Sequence, residues 1–208
     1  MMPAPGTATL LLTLMLALAS PAPGAAATAP ESAMRLSASV RPLAAEVALQ
    51  VDPAASEHSG QVRITLELQR AQRALTLHAR DLKVTAAVID LGVRQLAARV
   101  RRLDAERIEL QFATPVPLGR SQLRLDFRGE LQSREPYGLF RRQLDGLWYA
   151  ATQFEPAGAR LAFPLLDEPG WKLPWTLTLT VPQGLTAVAN TPVRTQSEAR
   201  PGWKRVEF

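Results

Sequence analysis

Along most of this chain, apolar and polar residues alternate with a period of two. Val62, Ile64, Leu66 and Leu68 interleave with Arg63, Thr65, Glu67 and Gln69. Successive side chains of an extended strand point to opposite faces, so the pattern makes one dry face and one wet face. The same alternation runs through Val47 to Val51, Leu75 to Leu77, Ile108 to Phe112, Leu123 to Phe127 and Trp175 to Val181. Turn signals punctuate these runs at Asp52-Pro53, Ser59-Gly60, Thr114-Pro115, Leu118-Gly119 and Pro182-Gln183-Gly184. The expectation is an all-β domain, an antiparallel β-sandwich or a saddle-shaped pair of sheets. No amphipathic helix of three turns stands out. Gln95 to Asp104 comes nearest, and its Arg and Val content suits a strand as well. From Ser133 to Pro169 the alternation fades and aromatics, Gly and Pro gather. An irregular segment on a β scaffold is where function tends to sit.

The start of the chain reads differently. Met1 to Pro30 carry no charged side chain, and Leu10 to Ala19 is an apolar run of signal-peptide length, too short for a confident bilayer span. Ala25-Ala26-Ala27 or Ala27-Thr28-Ala29 supplies a small-residue cleavage site, so residues 1–29 are expected to be an export signal. No Lys or Arg precedes the run, which leaves an uncleaved anchor or a disordered Ala/Pro tail as the alternative; the uncleaved anchor is the only route to membrane association expected. The remainder suits one domain with a real core, at 36–208. An exported domain with no cysteine fits a bacterial periplasm better than a small disulfide-stapled scaffold.

Net charge is +5, almost all from Arg, since Lys occurs only at Lys83, Lys172 and Lys204. The Arg residues are spread along strands among Asp and Glu, so a solvated surface accounts for them and no nucleic-acid partner is expected.

Catalytic chemistry is hard to find. The only histidines are His58, in the polar stretch Ser56-Glu57-His58-Ser59-Gly60, and His78, on the polar phase of Leu75-Thr76-Leu77-His78-Ala79. They lack the one-turn helical spacing that puts two imidazoles on one metal, and both read as surface histidines. No metal site is expected in this chain. Neither a G-x-S-x-G elbow nor a thiol is available for nucleophilic catalysis. Asp167 and Glu168 are adjacent and would point apart on an extended chain. No catalytic residue is therefore assigned.

One block does stand out: Ala150-Ala151-Thr152-Gln153-Phe154-Glu155-Pro156-Ala157-Gly158-Ala159-Arg160-Leu161-Ala162-Phe163-Pro164-Leu165-Leu166-Asp167-Glu168-Pro169. It resembles the A-A-T-Q-F-E-P-x-x-A-R-x-A-F-P-C-x-D-E-P pattern in the amino-terminal domain of the gluzincin aminopeptidases, the group of aminopeptidase N and leukotriene A4 hydrolase. Leu165 stands where that family often has Cys, and Gly170-Trp171 replaces its usual Ala-Phe or Ser-Phe. Weaker likenesses keep the family's order. They are Arg41-Pro42 to Asp52-Pro53, Ser59 to Ile64, Leu77 to Leu82, Gly138 to Arg141, and the strand pair Val181-Pro182 with Ala187 to Pro192.

The resemblance implies the amino-terminal β-domain of a zinc aminopeptidase, with zinc, H-E-x-x-H and G-A-M-E-N in a catalytic domain this chain lacks. It implies that Glu155 receives the free α-amine of a peptide substrate and that Gln153 contacts the substrate backbone. A carboxylate suits a cationic chain end because a charge-assisted hydrogen bond forms there that an internal peptide cannot offer. Glu155 precedes Pro156, which biases it to an extended conformation. Arg160, Asp167 and Glu168 are expected to tie the loop down. Trp203 to Phe208 reads as a strand broken off in its middle, leaving an unpaired edge. This favours a piece of a longer enzyme, inactive alone; the alternative is a stand-alone β-sandwich that binds peptides or proteins without catalysis.

Overall fold

The computed structural model describes residues 35–208. The export signal expected at residues 1–29 lies outside them. Twelve strands form among the described residues: β1 (Val40–Gln50), β2 (Glu57–Leu68), β3 (Gln72–His78), β4 (Leu82–Asp90), β5 (Gln95–Arg102), β6 (Arg107–Val116), β7 (Gly119–Glu130), β8 (Gly138–Leu144), β9 (Leu147–Gln153), β10 (Trp175–Pro182), β11 (Thr195–Arg200) and β12 (Trp203–Glu207). Their one helical turn is the 3-10 segment Ala159–Leu161. The all-β expectation holds.

Ten strands join one sheet in the order β11-β12-β10-β1-β2-β7-β4-β5-β6-β3, while β8 and β9 form a separate two-stranded sheet. The order requires the large sheet to curl. β2 and β3 lie five strand steps apart in it, about 24 Å if flat. The chain from Leu68 to Gln72 reaches at most about 14 Å. The sheet turns back through β5, whose first residues pair with β4 and whose later residues pair with β6. Leu75, Leu77, Ile108 and Leu110 from one limb then share a core with Val62, Ile64, Leu66, Leu123 and Leu125 from the other. These alternating residues are almost wholly buried, which is the dry face that the period of two demanded.

Several local expectations need correction. Pairing is not all antiparallel, because β1 and β10 run parallel. Ser59-Gly60 is no turn: both lie inside β2, and Gly60 is glycine because a Cβ there would stand 2.5 Å from the Ala48 carbonyl oxygen and 2.8 Å from Phe127. Thr114-Pro115 lies within β6, and Gln95–Arg102 is strand β5. Ala187 to Pro192 forms no strand, whereas Gly138–Leu144 and Leu147–Gln153 build a hairpin inside the segment expected to be irregular. Nor is Trp203–Glu207 an unpaired edge. β10 and β11 flank β12 on its two sides, and β11 is the open edge.

Candidate functional site

The β8–β9 hairpin carries the block singled out above. Leu139, on one face of it, is buried in the core, while Tyr149, Ala151 and Gln153 alternate along the opposite, exposed face of β9. Gln153 is the last residue of β9 and pairs with Gly138. Phe154 then turns inward and meets Phe163 edge-on at 5.9 Å, and Phe163 in turn lies 6.3 Å from Trp175. With Phe154 held inward, its neighbours Gln153 and Glu155 are both exposed. Gln153 directs its side-chain amide N–H to the Glu155 carbonyl at 3.4 Å, a long contact. Among the described residues, no ion pair uses the Glu155 carboxylate. The structure thus leaves both expected site residues exposed at the rim of one turn.

That turn is closed locally. The Glu155–Pro156 peptide is cis. The Gly158 N–H donates to the Phe154 carbonyl at 2.6 Å and the Ala157 N–H to the Tyr137 hydroxyl at 3.0 Å. A Cβ on Gly158 would stand 2.4 Å from the Gln153 carbonyl oxygen, so only glycine fits.

Behind the turn, the rest of the block is tied to the sheet by side chains. The Arg160 guanidinium donates to Asp167 Oδ2 at 2.9 Å and to the Asp167 carbonyl at 3.0 Å, and reaches Glu106 at 3.3 Å. The Glu168 carboxylate accepts the Leu36 N–H at 2.9 Å. The expectation that Arg160, Asp167 and Glu168 hold the loop together therefore stands. Leu165 adds a strand-like bridge to His78: the His78 N–H donates to the Leu165 carbonyl at 2.9 Å, and the Leu165 N–H returns at 3.0 Å.

Both histidines contradict the surface reading, being only 2% and 3% exposed for His58 and His78. His58 Nε2 lies 2.9 Å from the Ala162 carbonyl, which can only accept, so Nε2 carries the proton. His78 Nδ1 accepts the Asp167 N–H at 3.2 Å, which places its proton on Nε2. Burial lowers the pKa of His58 against the opposing pull of backbone carbonyls. It also lowers that of His78, helped by the Arg160 charge and opposed by Asp167 and Glu168. Two neutral rings thus anchor the block from beneath. Their position was missed because His58 was read into a turn that is strand β2. At the end of β3, moreover, Leu77, His78 and Ala79 are all buried, since the Leu165 segment covers the face that alternation leaves wet. Tyr137 carried no signal at all.

Among the described residues no three His, Cys, Asp or Glu side chains gather to ligate a metal.

Known proteins locate this architecture. The family described as the Peptidase M1 N-terminal domain matches residues 41–208. Among curated relatives, Aminopeptidase M1-D of Oryza sativa subsp. japonica is 35% identical over 179 residues, covering 84% of this chain and 20% of the relative. Aminopeptidase N of Acetobacter pasteurianus is 29% identical over 189 residues, covering 85% of this chain and 50% of that protein. Among solved structures, a mutant of the M1 zinc metallopeptidase of Deinococcus radiodurans bound to a Tyr-Ser-Ala substrate superposes with a TM-score of 0.66 at 25% identity, over 84% of this chain and 40% of that one. The fold is that of the amino-terminal domain of M1 peptidases. The chain belongs to the peptidase M1 family, and it spans between a fifth and a half of the length of these relatives.

Proposed function

We propose that this chain supplies the amine anchor of an exported zinc aminopeptidase that removes amino-terminal residues from peptides. Glu155 receives the protonated α-amine, and Gln153 contacts the backbone of the substrate's first residues. The observation that carries the reading is the pair itself: Phe154 is locked inward, and Gln153 and Glu155 are left exposed on a turn fastened to the sheet. A cation meeting that carboxylate forms a charge-assisted hydrogen bond, and the fixed turn makes the anchor a positional reference for the bond to be cut. Zinc, when bound, acts as Lewis acid and water activator. It is held by residues other than those described, so the 208-residue chain alone hydrolyses no aminoacyl-arylamide. Residues 1–29 direct export, which places the enzyme in a periplasm or outside the cell.

The test is to read the gene through the Phe208 codon, express the product of the whole frame and assay it on aminoacyl-arylamides. Glu155→Ala should raise KM by about tenfold or more, the loss expected for a charged hydrogen bond. Unchanged kinetics remove the amine-anchor assignment. A frame that ends at Phe208 returns the stand-alone peptide-binding reading.

A further inference from the structure

We infer that Tyr137 is the positioning residue of the amine anchor, holding Glu155 at its working place through a single hydrogen bond two residues further along the chain. The inference rests on the reading of Glu155 given above.

The turn from Phe154 to Gly158 has few ways to hold its shape. Pro156 has no N–H to give. The Gly158 N–H closes the turn on itself through the Phe154 carbonyl. Ala157 lies between them, and its N–H is held from outside the turn by the Tyr137 hydroxyl at 3.0 Å, in a half-buried setting. Without that acceptor the Ala157 amide must find water or remain unpaired, and the segment Glu155-Pro156-Ala157 loses its tie to the hairpin.

Tyr137 is itself fixed. The Gln132 side-chain amide donates to the Tyr137 carbonyl at 3.0 Å and also to the Glu135 carbonyl. Its oxygen accepts the N–H groups of Arg134 and Glu135 at 2.8 and 2.9 Å. The next residue, Gly138, adopts a left-handed φ of 72°, and a Cβ there would stand 2.7 Å from Leu161 Cβ. Gly138 also pairs with Gln153. One rigid corner therefore grips both ends of the exposed pair: Gly138 sets Gln153 through the sheet, and the Tyr137 hydroxyl sets Glu155 through Ala157. Gln153 and Glu155 cannot drift relative to each other while both grips hold. Among the described residues Glu155 has no ion pair to orient it, so its reach depends on the backbone beneath it.

The experiment is Tyr137→Phe in the product of the whole reading frame, which removes the hydroxyl and keeps the ring. KM for an aminoacyl-arylamide should rise about tenfold with kcat changed by less than about twofold, the signature of lost substrate binding. Inhibition by leucine hydroxamate should weaken by a similar factor, while its des-amino counterpart, 4-methylpentanoyl hydroxamate, should bind as before. A merely structural tyrosine would lower the active fraction or weaken both inhibitors alike, and either outcome overturns the inference, as does unchanged KM. Glu155→Gln separates the two readings. If it leaves the preference for the amine-bearing inhibitor intact, the anchor assignment to Glu155 fails. If it abolishes that preference and Tyr137→Phe does nothing, only the role of Tyr137 fails.

Discussion

The curled sheet and the block from Gln132 to Pro169 are stabilised in different ways. In the sheet, apolar side chains every second residue share one core, and backbone ladders join strand to strand. In the block, most fastenings run between a side chain and a backbone group: Tyr137 to Ala157, His78 to Asp167, His58 to Ala162, Gln132 to its own loop and Glu168 to Leu36. The first kind of order follows from composition along a strand. The second depends on single atoms brought together from distant parts of the chain, so it is specific and easily lost. It also leaves the Glu155 carboxylate without an ion pair among the described residues.

This contrast can be broken or sharpened by substitution. The largest effect should come from the sheet: Leu125→Ala, at a site with no exposed surface, should cost about 3 kcal/mol by urea denaturation. Arg160→Ala should cost about 2 kcal/mol, because it strands Asp167 and leaves the Asp167 carbonyl without its donor. A loss as large as that of Leu125→Ala would put the block on an equal footing with the core. Acidification should weaken the block further. Both histidines have folded pKa values below the ordinary 6.5, so the unfolded chain binds more protons in acid. Stability is therefore full above about pH 6.5 and falls as the pH drops from there through the lower folded values. A His58→Gln, His78→Gln double variant should flatten that slope; an unchanged slope would assign it to the carboxylates. The smallest effect belongs to Glu155→Ala, which should move the stability of the isolated chain by no more than about 0.5 kcal/mol. A larger change would show that Glu155 supports the fold.

How much was legible follows the same division. Val62 to Leu68 and Leu123 to Phe127 declared their strands because a period of two has one structural meaning at that length. Gln153 and Glu155 were singled out through a resemblance, and Arg160, Asp167 and Glu168 as an ion pair or turn network holding the loop. Gly60 misled because a glycine after a serine signals a turn, whereas here it admits the carbonyl of a neighbouring strand. His58 and His78 misled because their partners, Ala162 and Asp167, lie far along the chain, and no local pattern announces a backbone group that arrives from elsewhere. Tyr137 was invisible for the same reason. The hairpin of Gly138–Leu144 and Leu147–Gln153 was missed because its large apolar residues are adjacent, Leu139 with Phe140 and Leu147 with Trp148 and Tyr149, so no period of two shows.

The parallel pairing of β1 with β10 has a consequence for the order of events in synthesis. β1 can pair with β2 as soon as both leave the ribosome, yet its other partner is about 130 residues further on. At the usual pace of translation, 5–20 residues per second, that delay is roughly ten seconds. Throughout it, one side of β1 offers unsatisfied amides and carbonyls to any passing extended chain.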